Sequence, residues 1–109
     1  MTVQELKEKL DLTEFHLAEP ERAVSGAYCG DLLTWVMSNA PANGAWLTIM
    51  SNVNVAAVAV LTDVSCIILT EGVTPDDALL TRAQIQGVNL LGTKLSTYAC
   101  ALHLGSLQV

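Results

Sequence analysis

The order of apolar and polar positions changes period several times along the chain, and each change marks an element. Thr2 followed by Glu5 has the form of a capping box, and Val3, Leu6 and Leu10 then recur at helical spacing, which predicts a short amphipathic first helix. Thr13 to Leu17 alternates as a strand does, Glu19-Pro20-Glu21 reads as a turn, and Ala23 to Cys29 predicts a second strand. Gly30-Asp31 supplies a turn and an N-cap for a helix over Leu32 to Asn39. Its apolar residues Leu32, Leu33, Trp35, Val36 and Met37 surround most of the helix, so it is expected to be covered on two sides.

Pro41-Ala42-Asn43-Gly44 ends that helix, and Ala45 to Met50 predicts a short apolar strand. Ser51 or Asn52 can cap the next helix, Val53 to Leu61, which is alanine-rich and apolar on nearly every face. Val64 to Leu69 is continuously apolar and β-branched, as in a central parallel strand buried on both faces. Thr74-Pro75-Asp76-Asp77 combines a capping hydroxyl, a proline at the first helical position and two acids near the positive end of the dipole. It predicts a helix running to Gln86, with Gly87 as its terminator. Val88 to Leu91 is the last strand, and Ser96 to Leu107 predicts a closing helix. Strands alternating with helices after residue 23 argue for α/β architecture: a three-layer sandwich, its sheet mainly parallel, with helices on both faces.

Composition narrows the function. A chain of 109 residues suits one domain, spanning 1–109. Hydrophobic residues make up 51% and charged ones 15%, leaving little polar surface, so some apolar surface is expected to meet a partner. Five basic residues face eleven acidic ones, and Lys7, Lys9, Arg22, Arg82 and Lys94 are scattered, which argues against nucleic acid and against an anionic membrane surface. The longest apolar run, Val53 to Leu61, is far short of the roughly 20 residues of a membrane span. The first ten residues have no apolar signal core, and Cys29, Cys66 and Cys100 are odd in number and far apart. Both points predict a cytoplasmic protein with reduced thiols.

In an open α/β sheet, ligands sit at the carboxyl ends of parallel strands, where helix N-termini point free N–H groups into a crevice. Four loops qualify: Cys29-Gly30-Asp31, Ser51-Asn52-Val53-Asn54, Thr70-Glu71-Gly72-Val73-Thr74 and Gly92-Thr93-Lys94. Their hydroxyls, amides, glycines and one lysine would suit a phosphate or nucleotide, with Gly30, Asp31, Ser51, Asn52, Thr70, Glu71, Gly72, Thr74, Thr93 and Lys94 as the candidate ligand-binding residues. The same residue types also serve as caps and turns. Asp31 and Glu71 could approach one another and hold Mg²⁺. Cys29 near a helix start could have a lowered thiol pKa, whereas Cys66 and Cys100 read as small core residues. His16 and His103 are isolated, with no triad-like spacing. No cofactor, resident metal site or catalytic constellation is implied.

Val64-Ser65-Cys66-Ile67-Ile68-Leu69-Thr70-Glu71-Gly72, followed by Thr74-Pro75 and Ala83 to Leu91, resembles the signature of the DRTGG domain; Gly26, Tyr28, Gly30-Asp31 and the Ser51-Asn52 region extend the likeness over nearly the whole chain. Glu71 stands where the family often has glycine, and no Asp-Arg pair precedes the helix at Val53. DRTGG domains resemble the N-terminal domain of HPr kinase/phosphorylase and occur beside CBS regulatory pairs in some pyrophosphatases. The resemblance implies regulation or assembly, not kinase chemistry, since no GxxxxGK[ST] is present. The expected function is therefore a non-catalytic regulatory or scaffolding module, self-associating as a homodimer and binding a protein partner or a small, nucleotide-class effector. Trp35, Trp46, Val36 and Met37 are expected in the core, and a charge at Val58 or Met37 is expected to break a dimer built on the apolar helices. The alternative is a small Mg-dependent phosphotransferase or hydrolase using Asp31 and Glu71.

Overall fold

A computed structural model describes residues 1–109. In chain order the elements are α1 (Val3–Lys9), β1 (Thr13–His16), β2 (Ala27–Cys29), α2 (Leu33–Asn39), β3 (Ala45–Thr48), α3 (Asn54–Thr62), β4 (Cys66–Leu69), α4 (Asp77–Gln86), β5 (Leu90–Gly92) and α5 (Thr97–Ser106). All five strands form one sheet in the order β1-β5-β4-β3-β2. β2 to β5 are mutually parallel, and β1 runs antiparallel along β5 with an irregularity between Glu14 and His16. The mainly parallel α/β sandwich expected from the pattern is the observed fold.

Each strand's alternation divides the core in two. Trp46, Ile67, Leu69 and Leu90 face a layer holding Val36, Val55, Ala56, Leu79 and Ala83 from α2, α3 and α4. Ala45, Leu47, Cys66, Ile68 and Leu91 face Val3 and Leu6 of α1 and Cys100 and Leu104 of α5. Because β2 to β5 are sequential neighbours joined by crossovers of one hand, the three intervening helices stack on one face and leave the other to α1 and α5. This explains why β3 and β4 are buried at every position and read as unbroken apolar runs.

Several boundaries differ from the expected ones for identifiable reasons. The capping box forms as expected, with Thr2 Oγ1 accepting from Glu5 N at 3.1 Å and Glu5 Oε1 accepting from Thr2 N at 3.0 Å. The Thr2 backbone N–H, and after it the Thr2 hydroxyl, stabilise the ionised Glu5 carboxyl and hold it below its ordinary pKa. The second strand starts only at Ala27: Val24 N bonds to Met1 O, Ser25 N bonds to Asn43 O, and Gly26 turns the chain at φ +81°. α4 starts at Asp77 instead of Thr74, because Asp76 is held extended while its N–H bonds to Ser51 O at 3.0 Å. Pro75 is therefore outside the helix. The N-cap of α3 is Val53, which has no side-chain cap; Asn52 turns the chain just ahead of it, its Oδ1 accepting from Asn54 N at 2.9 Å.

The larger correction concerns α2, which its own chain does not cover on two sides: Trp35 is 62% exposed and Met37 50%. The outer side of α3 is open as well, with Leu61 72% exposed. Of the four expected core residues, Trp46 and Val36 are buried while Trp35 and Met37 are not. Val58 faces inward at 5% exposure, so a charge there would attack the fold and not a dimer.

Candidate functional site

The parallel strands bring their carboxyl ends to one edge, and the four expected loops lie along it in the spatial order β5, β4, β3, β2. At the β4 end, Glu71 and Gly72 take φ +61° and +74° and Val73 N bonds back to Thr70 O at 3.1 Å, a turn of the type that needs two left-handed residues. Glutamate is costly in that conformation, by about 1–2 kcal/mol. Its side chain compensates: Glu71 Oε2 accepts from Thr97 N at 2.9 Å at the start of α5, and Glu71 N donates to Leu95 O at 2.8 Å. The carboxylate therefore already occupies the positive end of α5.

Thr70 and Thr93 serve the scaffold. Thr70 is fully buried with its Oγ1 2.6 Å from Thr97 Oγ1, and Thr93 Oγ1 accepts from Leu95 N at 3.1 Å. Asp31 does not cap α2. Its Oδ1 accepts from Thr48 Oγ1 at 2.8 Å and Ile49 N at 2.9 Å, tying the end of β2 to the end of β3. Gly30 O accepts from the buried Trp46 Nε1 at 2.9 Å. Ser51 Oγ donates to Asp76 Oδ1 at 3.4 Å, so the turns after β3 and β4 are linked. Sequence reading missed Thr48 and Thr97 and saw in Asp76 only a helix-start acid; the bonds all three make depend on a partner from another loop.

The expected Asp31–Glu71 pair does not form. The two residues follow β2 and β4, with β3 between, so they stand about 10 Å apart, two strand spacings. Each is engaged with a different backbone amide. Nowhere do three His, Cys, Asp or Glu side chains gather in metal-binding geometry. The lowered Cys29 pKa is also overturned: partial burial, then the nearby Asp31 carboxylate, push the thiol up. Burial pushes Cys66 up to about 12 and Cys100 up to about 11, as expected of core thiols.

What remains open to a ligand is narrower than the ten candidates. Lys94 is exposed, makes no ion pair, and separates two grooves, one of about 490 Å³ beside Leu10, Asp11, Thr13 and Leu95, the other of about 230 Å³ beside Phe15, Gly72, Val73 and Thr74. At the head of α3, the amides of Ser51, Asn52 and Val53 find no acceptor within the chain. A more enclosed cavity of about 150 Å³ lies at the opposite edge, lined by Glu19, Arg22, Asp63, Ser65 and Asn89. It is below the size of a nucleotide site. Its polar groups bind one another: Arg22 Nη2 holds Asp63 Oδ1 at 2.7 Å, and Asn89 makes four bonds.

The DRTGG domain matches residues 43–107, a segment holding β3 through α5 and with them three of the four loops. The chain belongs to the DRTGG domain family. Its left-handed Glu71 sits at a position where glycine is the unstrained choice. Among solved structures, this DRTGG chain is similar to the CBS and DRTGG domains of the regulatory region of Clostridium perfringens pyrophosphatase, complexed with the activator diadenosine tetraphosphate. The TM-score is 0.78 and the identity 12%, over 94% of this chain and 45% of that one. The DRTGG chain thus spans under half of that regulatory region. No curated protein matches its sequence. No helix is long and apolar enough to cross a membrane.

Proposed function

We propose that this DRTGG domain is a non-catalytic regulatory module that self-associates and binds a small effector of the nucleotide class along the carboxyl edge of its sheet. The observation that carries the reading is the position of Lys94 between two open grooves and beside the turn that leads into α4. The activator held by the structurally similar regulatory region supports the ligand class.

The charges of the edge refine the ligand further. Asp11, Asp31, Glu71, Asp76 and Asp77 stand along it around Lys94. A bare polyphosphate meets net repulsion there, and Mg²⁺ on the phosphates relieves it. Lys94 and the free amides of Ser51 to Val53 lie about 10 Å apart, two strand spacings, a span that a nucleotide with several phosphates bridges. Sites of this kind use backbone N–H groups and one or two cations to orient the ligand.

The test is a thermal-shift screen with adenine and guanine nucleotides and dinucleotides, each with and without Mg²⁺. A ligand at 100 times its dissociation constant stabilises by about 2.7 kcal/mol, which raises the midpoint of a domain this size by roughly 10 °C or more. Such a shift, larger with Mg²⁺ and lost in Lys94→Ala, is the expected result. Absence of any shift across the panel overturns the nucleotide reading and leaves a protein partner as the regulator's target.

A further inference from the structure

Residues 32–62 carry no charged side chain at all, and this stretch builds both α2 and α3, which pack side by side on the same face of the sheet. Outward from these two helices stand Leu32, Trp35, Met37, Val53, Val60 and Leu61, between 37% and 72% exposed. At roughly 200 Å² per large side chain they present on the order of 600 Å² of apolar surface. That sum, taken over the flanks of both helices, comes close to the roughly 800 Å² per partner of a standard interface once a polar rim is added.

From this we infer that the α2–α3 face is covered by the same face of a second copy of the chain, an inference that rests on the self-association proposed above and locates it. Two features favour a second copy over a partner of different chemistry. An uncharged apolar face is complementary to itself, as a two-fold contact requires. Each copy carries a net charge of −6, all of it outside residues 32–62, so two copies approach with least repulsion over this stretch. The dimer then buries the outer side that the all-round apolar pattern of α2 and α3 leaves without cover.

Sedimentation equilibrium on the full chain tests this. Wild type is expected at twice the 11.6 kDa chain mass. Trp35→Glu/Leu61→Glu is expected at the monomer mass with its circular dichroism unchanged, because both side chains are largely exposed. Val60→Lys, introduced singly, checks the same face if the double variant fails to fold, and is expected to raise the dissociation constant at least tenfold. Tyr98→Glu/Leu102→Glu, on α5 across the sheet, is expected to leave the dimer intact. A monomeric wild type overturns self-association altogether. A dimer that survives the α2–α3 variants overturns the interface alone, and dissociation by the α5 pair moves it to the other face. None of these outcomes bears on the nucleotide screen, so the two readings fail separately.

Discussion

Replacing Asn89 by alanine should cost this small domain a large part of its stability. Asn89 is 2% exposed at the head of β5, and its amide makes four bonds at once. Oδ1 accepts from Ala18 N at 2.9 Å and Glu19 N at 2.8 Å, while Nδ2 donates to Glu19 O at 3.0 Å and Ser65 O at 2.9 Å. One side chain thus joins the connection after β1, the start of β4 and the start of β5. A neutral hydrogen bond contributes about 1 kcal/mol net, and a buried group left unpaired costs about 1–3 kcal/mol. Ala18 and Glu19 are exposed and can take water in its place, but Ser65 is buried and cannot. The expected loss is therefore about 3 kcal/mol. Urea unfolding followed by the fluorescence of the fully buried Trp46 measures it; with a slope near 1.5 kcal/mol/M, the midpoint should fall by about 2 M at unchanged slope. Asn52→Ala, which removes a single exposed turn bond, should cost only about 1 kcal/mol. An Asn89 variant within 1 kcal/mol of wild type would refute the view that this side chain staples three segments.

Other substitutions probe the ligand edge and the core. Glu71→Ala keeps the left-handed strain and loses the bond to Thr97 N, for a cost of about 1–2 kcal/mol, whereas Glu71→Gly should recover about 1 kcal/mol of it by relieving φ +61°; equal midpoints for the two in thermal unfolding would contradict the turn assignment. Asp31→Ala leaves Ile49 N and Thr48 Oγ1 without their acceptor and should increase amide exchange at Ile49 in native-state hydrogen exchange, with a stability loss of about 1–2 kcal/mol. Cys66 and Cys100 titrate at about 12 and about 11 in the folded protein, above their unfolded values near 9. Their contribution is full below about pH 9 and is lost as pH rises toward 12, by up to about 1.4 kcal/mol per pH unit per thiol. Unfolding midpoints between pH 8.5 and 10.5 should therefore fall less steeply in Cys66→Ala/Cys100→Ala than in wild type.

The sheet was legible in the sequence because β3 and β4 are buried on both faces, which writes Ala45–Leu47 and Cys66–Leu69 as runs without polar interruption. The four loops at the carboxyl edge were legible for a related reason: in a parallel sheet every crossover turn returns to the same end. The helices were misjudged in their surroundings. An all-round apolar pattern in α2 and α3 cannot distinguish a helix enclosed by its own chain from one left open to another. Pairings across loops were invisible as well. Asp31 and Asp76 have the local form of caps, yet one holds the end of β3 and the other is held extended by Ser51. Long-range bonds of this kind are fixed by the stacking order of the strands, which short-range spacing does not encode.

The proposed effector meets the carboxyl edge around Lys94 and the head of α3. A ¹H–¹⁵N correlation titration with Mg²⁺ and adenine nucleotides tests this placement residue by residue. Saturable shifts are expected at Ser51 to Val53, Gly72 to Thr74 and Lys94, with little change at Glu19, Arg22, Asp63 and Asn89 on the opposite edge. Shifts confined to that opposite edge, or none at any residue, would contradict the placement.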